Sequence, residues 1–168
     1  QDDLVIDPWG SAQSTDYDRI IDRFGLTSME GVQLHSPSKL HRRGIVFAHR
    51  DVDQILEAQR TGAPFGVLTG LMPSGQMHLG HSMVVEQARW FQQQGGDVTI
   101  AVADLESQAT RGVSLAKGRT VALEEYISHY AALGLDPAKT NVYFQSTRPA
   151  VQRLGFQLGK RTNLSEFE

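Results

Sequence analysis

His78 and His81 are the side chains whose type and spacing could most directly do chemistry. They stand three apart in PSGQMHLGHS (73–82), with Gly80 between them, where a turn passes into a helix. Three tasks suit two imidazoles there: binding a metal, gripping a phosphate, or capping the helix. Metal fits worst. The chain has no cysteine, so a zinc site would need Asp or Glu as a further ligand, and H-E-x-x-H is absent. No residue is therefore assigned to a metal. Phosphate gripping draws support from the helix start, whose free N–H groups and dipole favour an anion. Gly80 adds to it, having no Cβ to keep a flat ligand off the backbone. Capping, with solvent or backbone partners, is equally compatible with the spacing.

Neighbouring motifs exclude several enzyme classes. Gly70 and Gly75 have phosphate-loop spacing, but Gln76 and Met77 stand where that loop needs Lys and Ser or Thr. G-x-G-x-x-G is absent from the turn. His49-Arg50-Asp51 matches the start of a kinase catalytic loop, yet Leu56 replaces its Asn and no D-F-G follows. Asp51 is expected instead to cap the next helix. Ser82 lacks the G-x-S-x-G setting of a hydrolase nucleophile. Asp104 and Glu106 could hold an ammonium group or position a ligand hydroxyl, or could simply end a solvated strand. Arg111, Lys117 and Arg119 read as solvated helix-flank charges, and Trp90 with Phe91 as core.

The elements that must position these groups follow from periodicity. One helix is expected over Tyr17–Phe24 in an otherwise loosely organised first 40 residues, and another over Asp51–Arg60. Phe65–Thr69 reads as a strand ended by Gly70. Gly80–Gln94 reads as a helix with Val84, Ala88 and Phe91 on one face and Gly95-Gly96 at its end. Val98–Ala103 is apolar enough for a strand covered on both faces. Ser114 can cap a long helix ending at Gly134, with Leu123, Ile127, Ala131 and Leu133 inward. Asn141–Gln145 supplies a third strand. Alternating strands and helices imply a parallel sheet with right-handed crossovers. Ligands of such sheets sit beyond the carboxyl ends of the strands, the edge where Gly70–His81 and Asp104–Glu106 converge.

Bulk properties constrain partners loosely. At 168 residues with a net charge of −3, the chain can bury a core as one domain and exerts no global pull on nucleic acid or anionic membrane. The longest clearly apolar run, Ile100–Ala103, is far short of a membrane span. Absence of cysteine fits a reducing, cytoplasmic setting. The start at Gln1-Asp2-Asp3 and the end at Glu166-Phe167-Glu168 are expected to lie inside a longer protein.

HLGH (78–81), placed after the first strand of a nucleotide-binding fold, resembles the His-Ile/Leu-Gly-His signature of class I aminoacyl-tRNA synthetases. More narrowly, the chain resembles tryptophanyl-tRNA synthetases of the archaeal and eukaryotic type. VIDPWG (5–10) and YDRIIDRFG (17–25) resemble their N-terminal extension, and RRGIVFAHRD (42–51) the segment before the first strand. TGLMPSGQMHLGH (69–81) and ADLESQATRG (103–112) resemble the ATP and amino-acid motifs. The implied fold is α/β and Rossmann-like, incomplete at the C-terminus. Residues 1–64 would be the extension and pre-strand segment, and 65–168 the first half of the catalytic domain. The second half and an anticodon-binding domain would be absent.

By that resemblance His78 and His81 hold the ATP phosphates and stabilise charge as the tryptophan carboxylate attacks the α-phosphate. Gly80 lets adenine lie on the helix start, and Gly70, Pro73, Ser74 and Gly75 shape the phosphate turn. Leu68, Ala101, Asp104 and Glu106 border the amino acid, with Glu106 facing its amino group. Mg²⁺ accompanies ATP without a dedicated protein cage. The implied partners are ATP, tryptophan, tRNA(Trp) through regions mostly outside this chain, and a second copy in a homodimer. No membrane is implied. Leu68 replaces a tyrosine, Ala101 a glutamine and Leu71 an arginine of the family pattern, removing polar groups from the pocket. The lysine-rich Lys-Met-Ser-Lys-Ser loop does not occur, so the chain alone is expected to be inactive. Other readings are a tyrosyl-tRNA synthetase, a superfamily nucleotidyltransferase acting without tRNA, and a non-catalytic paralogue.

Overall fold

The computed structural model describes residues 17–161; VIDPWG (5–10) and the last seven residues lie outside that range. The chain divides into two compact units, Gln1–Leu56 and Glu57–Glu168. In the first, α1 (Tyr17–Phe24) appears where periodicity places it, and Tyr17 stacks on Phe47 with ring centroids 4.4 Å apart. Strands β1 (Thr27–Ser28) and β2 (Ala48–His49) pair antiparallel. Between them lies α2 (Lys39–Arg42), whose first turn is capped by Ser38. Helix α3 spans Val52–Thr61. Its cap corrects the sequence expectation. Asp51 takes a left-handed φ of +58°, not the extended conformation of an N-cap, and His49 Nδ1 accepts the Val52 N–H at 3.3 Å instead.

The second unit is built on a parallel three-stranded sheet of order β3 (Gly66–Leu71), β4 (Asp97–Val102), β5 (Thr140–Phe144). β3 runs through Gly70 to Leu71; Gly70 does not end it, because its backbone keeps pairing, opposite Ala101. α4 (Leu79–Gln93) crosses from β3 to β4. It closes in a Schellman turn: Gly95 at φ +97° donates to Gln92 O, and Gly96 donates to Phe91 O. α5 (Asp104–Arg111), where the sequence suggested only a polar strand end, follows β4 at once. The next helix starts at Ser114, whose Oγ accepts the Lys117 N–H at 3.3 Å. It runs as α6 (Leu115–Val121), a π-helical turn (Ala122–Ile127) and α7 (Ser128–Ala132) without leaving helical dihedrals. Gly134 at φ +93° ends it. A final helix, α8 (Pro149–Gly159), goes beyond what periodicity indicates.

The core lies on one side of the sheet. Val98, Ile100 and Val102 of β4 are at most 1% exposed, and they pack with Leu71, Val85, Ala88, Ala122, Tyr126, Tyr130 and Phe144. The alternate residues face the other way: Thr99 and Ala101 are half-buried, and Leu68 on β3 is 72% exposed. Among the described residues β4 is therefore covered on one face, not two. Two helix faces also differ from expectation. Val85 rather than Val84 faces inward from α4, beside Ala88, and Trp90 is buried while Phe91 is half-buried. In the long helix Ala122, Tyr126 and Tyr130 are buried, whereas Leu123, Ala131 and Leu133 are exposed and Ile127 is half-buried. No described helix is long and apolar enough to cross a membrane.

Candidate functional site

The carboxyl ends of β3 and β4 carry the candidate residues. Beyond Leu71 the backbone turns through Met72–Gly75, and this turn is held from below. Pro73 is fully buried; its carbonyl accepts a hydrogen bond from Ser107 Oγ at 3.1 Å, and Ser107 on α5 is 0% exposed. Ala103 N–H donates to Leu71 O at 2.8 Å, and Thr110 Oγ lies 3.8 Å from Met72 Sδ. Gly118 on α6 is buried beside Pro73, where a Cβ would make ordinary contact with Pro73 Cγ at 3.5 Å. Ser74 and Gly75, at the tip, remain exposed. The buried base keeps the exposed tip from collapsing, and the Ser74 N–H closes the turn on Met72 O at 2.8 Å.

His78 occupies the N-cap of α4 in extended conformation. Its N–H donates to His81 Nδ1 at 3.2 Å, so a neutral His81 carries its proton on Nε2. The two ring centroids lie 3.9 Å apart, and the Tyr126 ring stands perpendicular to that of His81, 5.1 Å away at 89°. Burial, and then the neighbouring His78, push the His81 pKa below its ordinary 6.5, partly offset by its backbone hydrogen bond with His78. The imidazole is thereby kept neutral near pH 7, with a fixed donor. Capping and ligand binding are not rivals here: Nδ1 serves the helix and Nε2–H is left for chemistry. Gly80 suits the same stack: a Cβ would lie 3.1 Å from His78 Cε1 and Nδ1, and the ring would have to shift by a few tenths of an ångström to admit it.

The other candidates separate. Leu68 and Ala101 lie on the open sheet face with Tyr143, in adjacent strands, with Ala101 directly opposite Tyr143 and Gly70. Gly70 shares that face, and a Cβ there would make only ordinary contact, 3.5 Å from Ala101 O. Glu106 is exposed on the first turn of α5. Asp104 is turned inward. It is 2% exposed, and its carboxylate accepts the Leu105 N–H at 3.1 Å, the Ser146 N–H at 3.0 Å and the Ser146 hydroxyl. Its work is to tie the end of β4 to the turn after β5, which leaves Glu106 as the acid on the rim. Arg119 lies over the Phe144 ring at 4.7 Å, and Arg148 over Tyr143 at 4.5 Å, so Arg119 is stacked rather than merely solvated. Among the described residues no three His, Asp or Glu cluster as metal ligands.

Gly118, Tyr126 and Ser146 lie beneath the site outside every sequence motif, and the motif ADLESQATRG (103–112) assigns Ser107 no role of its own. Only the inward polar position of Ser107, one turn into a helix after a buried strand, could have drawn notice.

Known proteins share this arrangement. Residues 60–168 match the family described as tRNA synthetases class I (W and Y). A tryptophan-tRNA ligase of Methanosarcina acetivorans is 45% identical over 98% of this chain and 38% of its own length. That of Thermoplasma acidophilum is 46% identical over 97% of this chain and 37% of its own. The solved tryptophanyl-tRNA synthetase of Aeropyrum pernix superposes with a TM-score of 0.83 at 41% identity, covering 95% of this chain and 46% of that one. The chain thus spans less than half the length of these relatives. With the Rossmann-like parallel sheet, the paired histidines at the head of α4 and a family match over its second unit, the chain belongs to the class I tRNA synthetases of the tryptophan and tyrosine branch.

Proposed function

We propose that this chain is the N-terminal part of a tryptophan-tRNA ligase, in which residues 65–168 form the first half of the catalytic domain. The observation that carries the reading is the histidine pair over a buttressed turn at the carboxyl edge of the sheet. ATP lies with its phosphates over the Ser74–Gly75 turn and at the start of α4, whose leading N–H groups favour an anion. A carboxylate oxygen of tryptophan attacks the α-phosphorus, the bond to pyrophosphate breaks, and tryptophanyl-adenylate forms before transfer to tRNA(Trp). His78 and His81 stabilise the charge that builds on the phosphates; neither needs to move a proton. Gly80 and Gly70 leave room for the nucleotide, and Glu106 pairs with the substrate ammonium. Leu68 and Ala101 line the side-chain pocket. Mg²⁺ bound with ATP would neutralise phosphate charge; among the described residues no three His, Asp or Glu cluster to cage it. A cytoplasmic homodimer accompanies this reading.

Tryptophan is favoured over tyrosine by the relatives, whose names specify tryptophan. The test is ATP–pyrophosphate exchange by the full-length protein carrying this sequence, with each amino acid in turn. Equal or greater turnover with tyrosine overturns the assignment. His81→Ala should slow activation by about 10²–10³-fold, the scale of one lost oxyanion donor, with an unchanged circular dichroism spectrum. Unchanged activation would reduce the histidine pair to a helix cap.

A further inference from the structure

The π-helical turn Ala122–Ile127 belongs to no motif, yet it sets the side chain closest beneath the histidine pair. In an α-helix of about 3.6 residues per turn, positions four apart drift steadily around the axis. A π turn holds more residues and reverses that drift. Inserting one here keeps Ala122, Tyr126 and Tyr130 on one buried side and delivers Tyr126 to the site. π turns of this kind recur at functional positions.

Tyr126 is 1% exposed and makes two contacts of different chemistry. Its ring stands perpendicular to that of His81, with centroids 5.1 Å apart and planes at 89°, a T-shaped arrangement that sets the positive edge of one ring against the π cloud of the other. Its hydroxyl oxygen faces the Gly75 backbone, whose N–H favours the ionised phenol, at the exposed tip of the turn. One side chain therefore touches both halves of the candidate phosphate site. Ser107 grips the same turn separately through Pro73 O, so Tyr126 is not needed merely to keep the turn closed.

We propose that Tyr126 is a positioning residue for adenylate formation, fixing the His81 ring through their T-shaped contact and the Gly75 backbone through its hydroxyl. The inference rests on the function proposed above. It predicts that the two contacts separate by mutation. Tyr126→Phe keeps the ring edge and removes the hydroxyl; Tyr126→Leu removes both.

The experiment uses the full-length protein, with the imidazoles selectively ¹³C-labelled and the His81 signal assigned by its loss in His81→Asn. Histidine titration is followed by NMR, and ATP–pyrophosphate exchange is resolved into kcat and KM for ATP. Tyr126→Phe should leave the His81 titration in place and raise KM for ATP by about three- to tenfold, the scale of one hydrogen bond. Tyr126→Leu should bring the His81 pKa up toward its ordinary value and lower kcat about tenfold further, the scale of an edge-to-face contact made through a catalytic group. An unchanged KM in Tyr126→Phe overturns the proposal, whether or not the leucine variant folds. So does a folded Tyr126→Leu whose His81 titration matches wild type. If the wild-type protein performs no exchange with tryptophan, the functional assignment fails, while the His81 titration still decides whether Tyr126 sets that ring.

Discussion

Removing the Asp104 carboxylate should open the rim of the sheet from within. Asp104 is 2% exposed and accepts three hydrogen bonds, two from backbone N–H groups and one from the Ser146 hydroxyl. Asp104→Ala leaves these donors without an acceptor. A hydrogen bond to a charged group contributes about 1.5–3 kcal/mol, and a buried donor left unpaired costs about 1–3 kcal/mol. The full sum is not lost. Leu105 and Ser146 are only half-buried, so water can reach the freed groups, and the substitution also relieves the desolvation of a buried charge. The net expectation is about 2–4 kcal/mol, a large part of the roughly 5–15 kcal/mol by which a domain is stable. Asp104→Asn, which keeps one acceptor oxygen, should cost about 1 kcal/mol. Urea unfolding followed by circular dichroism measures both. Ser146→Ala completes a double-mutant cycle, and the pair should fall short of additivity by about 0.5–3 kcal/mol. A cost below about 0.5 kcal/mol for Asp104→Ala, or full additivity with Ser146→Ala, would refute the tie between β4 and the turn after β5.

Two further outcomes test the site itself. Gly70→Ala should preserve or slightly raise stability, because the added methyl makes ordinary contact and glycine weakens a strand by about 0.5–1 kcal/mol. The same methyl should raise KM for ATP at least about fivefold, as overpacking against a ligand costs about 1–3 kcal/mol; a rise in thermal midpoint with unchanged KM would remove Gly70 from the nucleotide site. His81 gives a pH signature. Its folded pKa lies below the unfolded value of 6.5 because burial disfavours the charged ring, so the unfolded chain binds protons more readily as pH falls. The stability it contributes is complete above 6.5 and declines as pH drops through the lower folded value. His81→Asn should flatten that part of a stability-against-pH curve, and an unaltered slope would contradict the burial of the ring.

Parts of this architecture were legible because their signals are local. The Gly95-Gly96 and Gly134 endings could be read from glycine alone, since only a left-handed residue closes those turns cheaply. Tyr17–Phe24 has enough periodicity to be read without neighbours. The inward faces of α4 and the long helix were displaced by one residue. In the long helix Leu123, Ile127 and Ala131 have the same four-residue spacing as Ala122, Tyr126 and Tyr130, and the leucine is the stronger hydrophobe. What decides between them is which side packs against the sheet, where Ala122, Tyr126 and Tyr130 join Val98, Ile100 and Val102, and nothing in composition announces that contact. Gln92 shows the same limit for polar groups. It sits in the only low-complexity stretch of the chain, yet it is 6% exposed. Its amide bridges α4 to Asp136 and Lys139 ahead of β5 and to Thr140 at its start. A buried glutamine becomes recognisable only when its partners, more than 40 residues away, are brought to it.

The candidate site divides along the same line. His78, Gly80 and His81 are contiguous, so their chemistry could be proposed from a ten-residue string. Asp104 and Glu106 are two apart in a helix, a spacing that sends side chains to different sides. That placement makes one a structural tie and the other a rim acid. Which is which depends on Ser146, 42 residues on. The same logic explains why Nδ1 of His81 is spent on the His78 N–H while Nε2–H is not. The capping bond fixes the tautomer, and a fixed tautomer is what makes a neutral imidazole a dependable donor to phosphate. Helix termination and ligand chemistry are therefore one device at this position. A substitution that preserves the cap but not the second nitrogen, His81→Asn, should keep α4 intact and lose the phosphate contact alone.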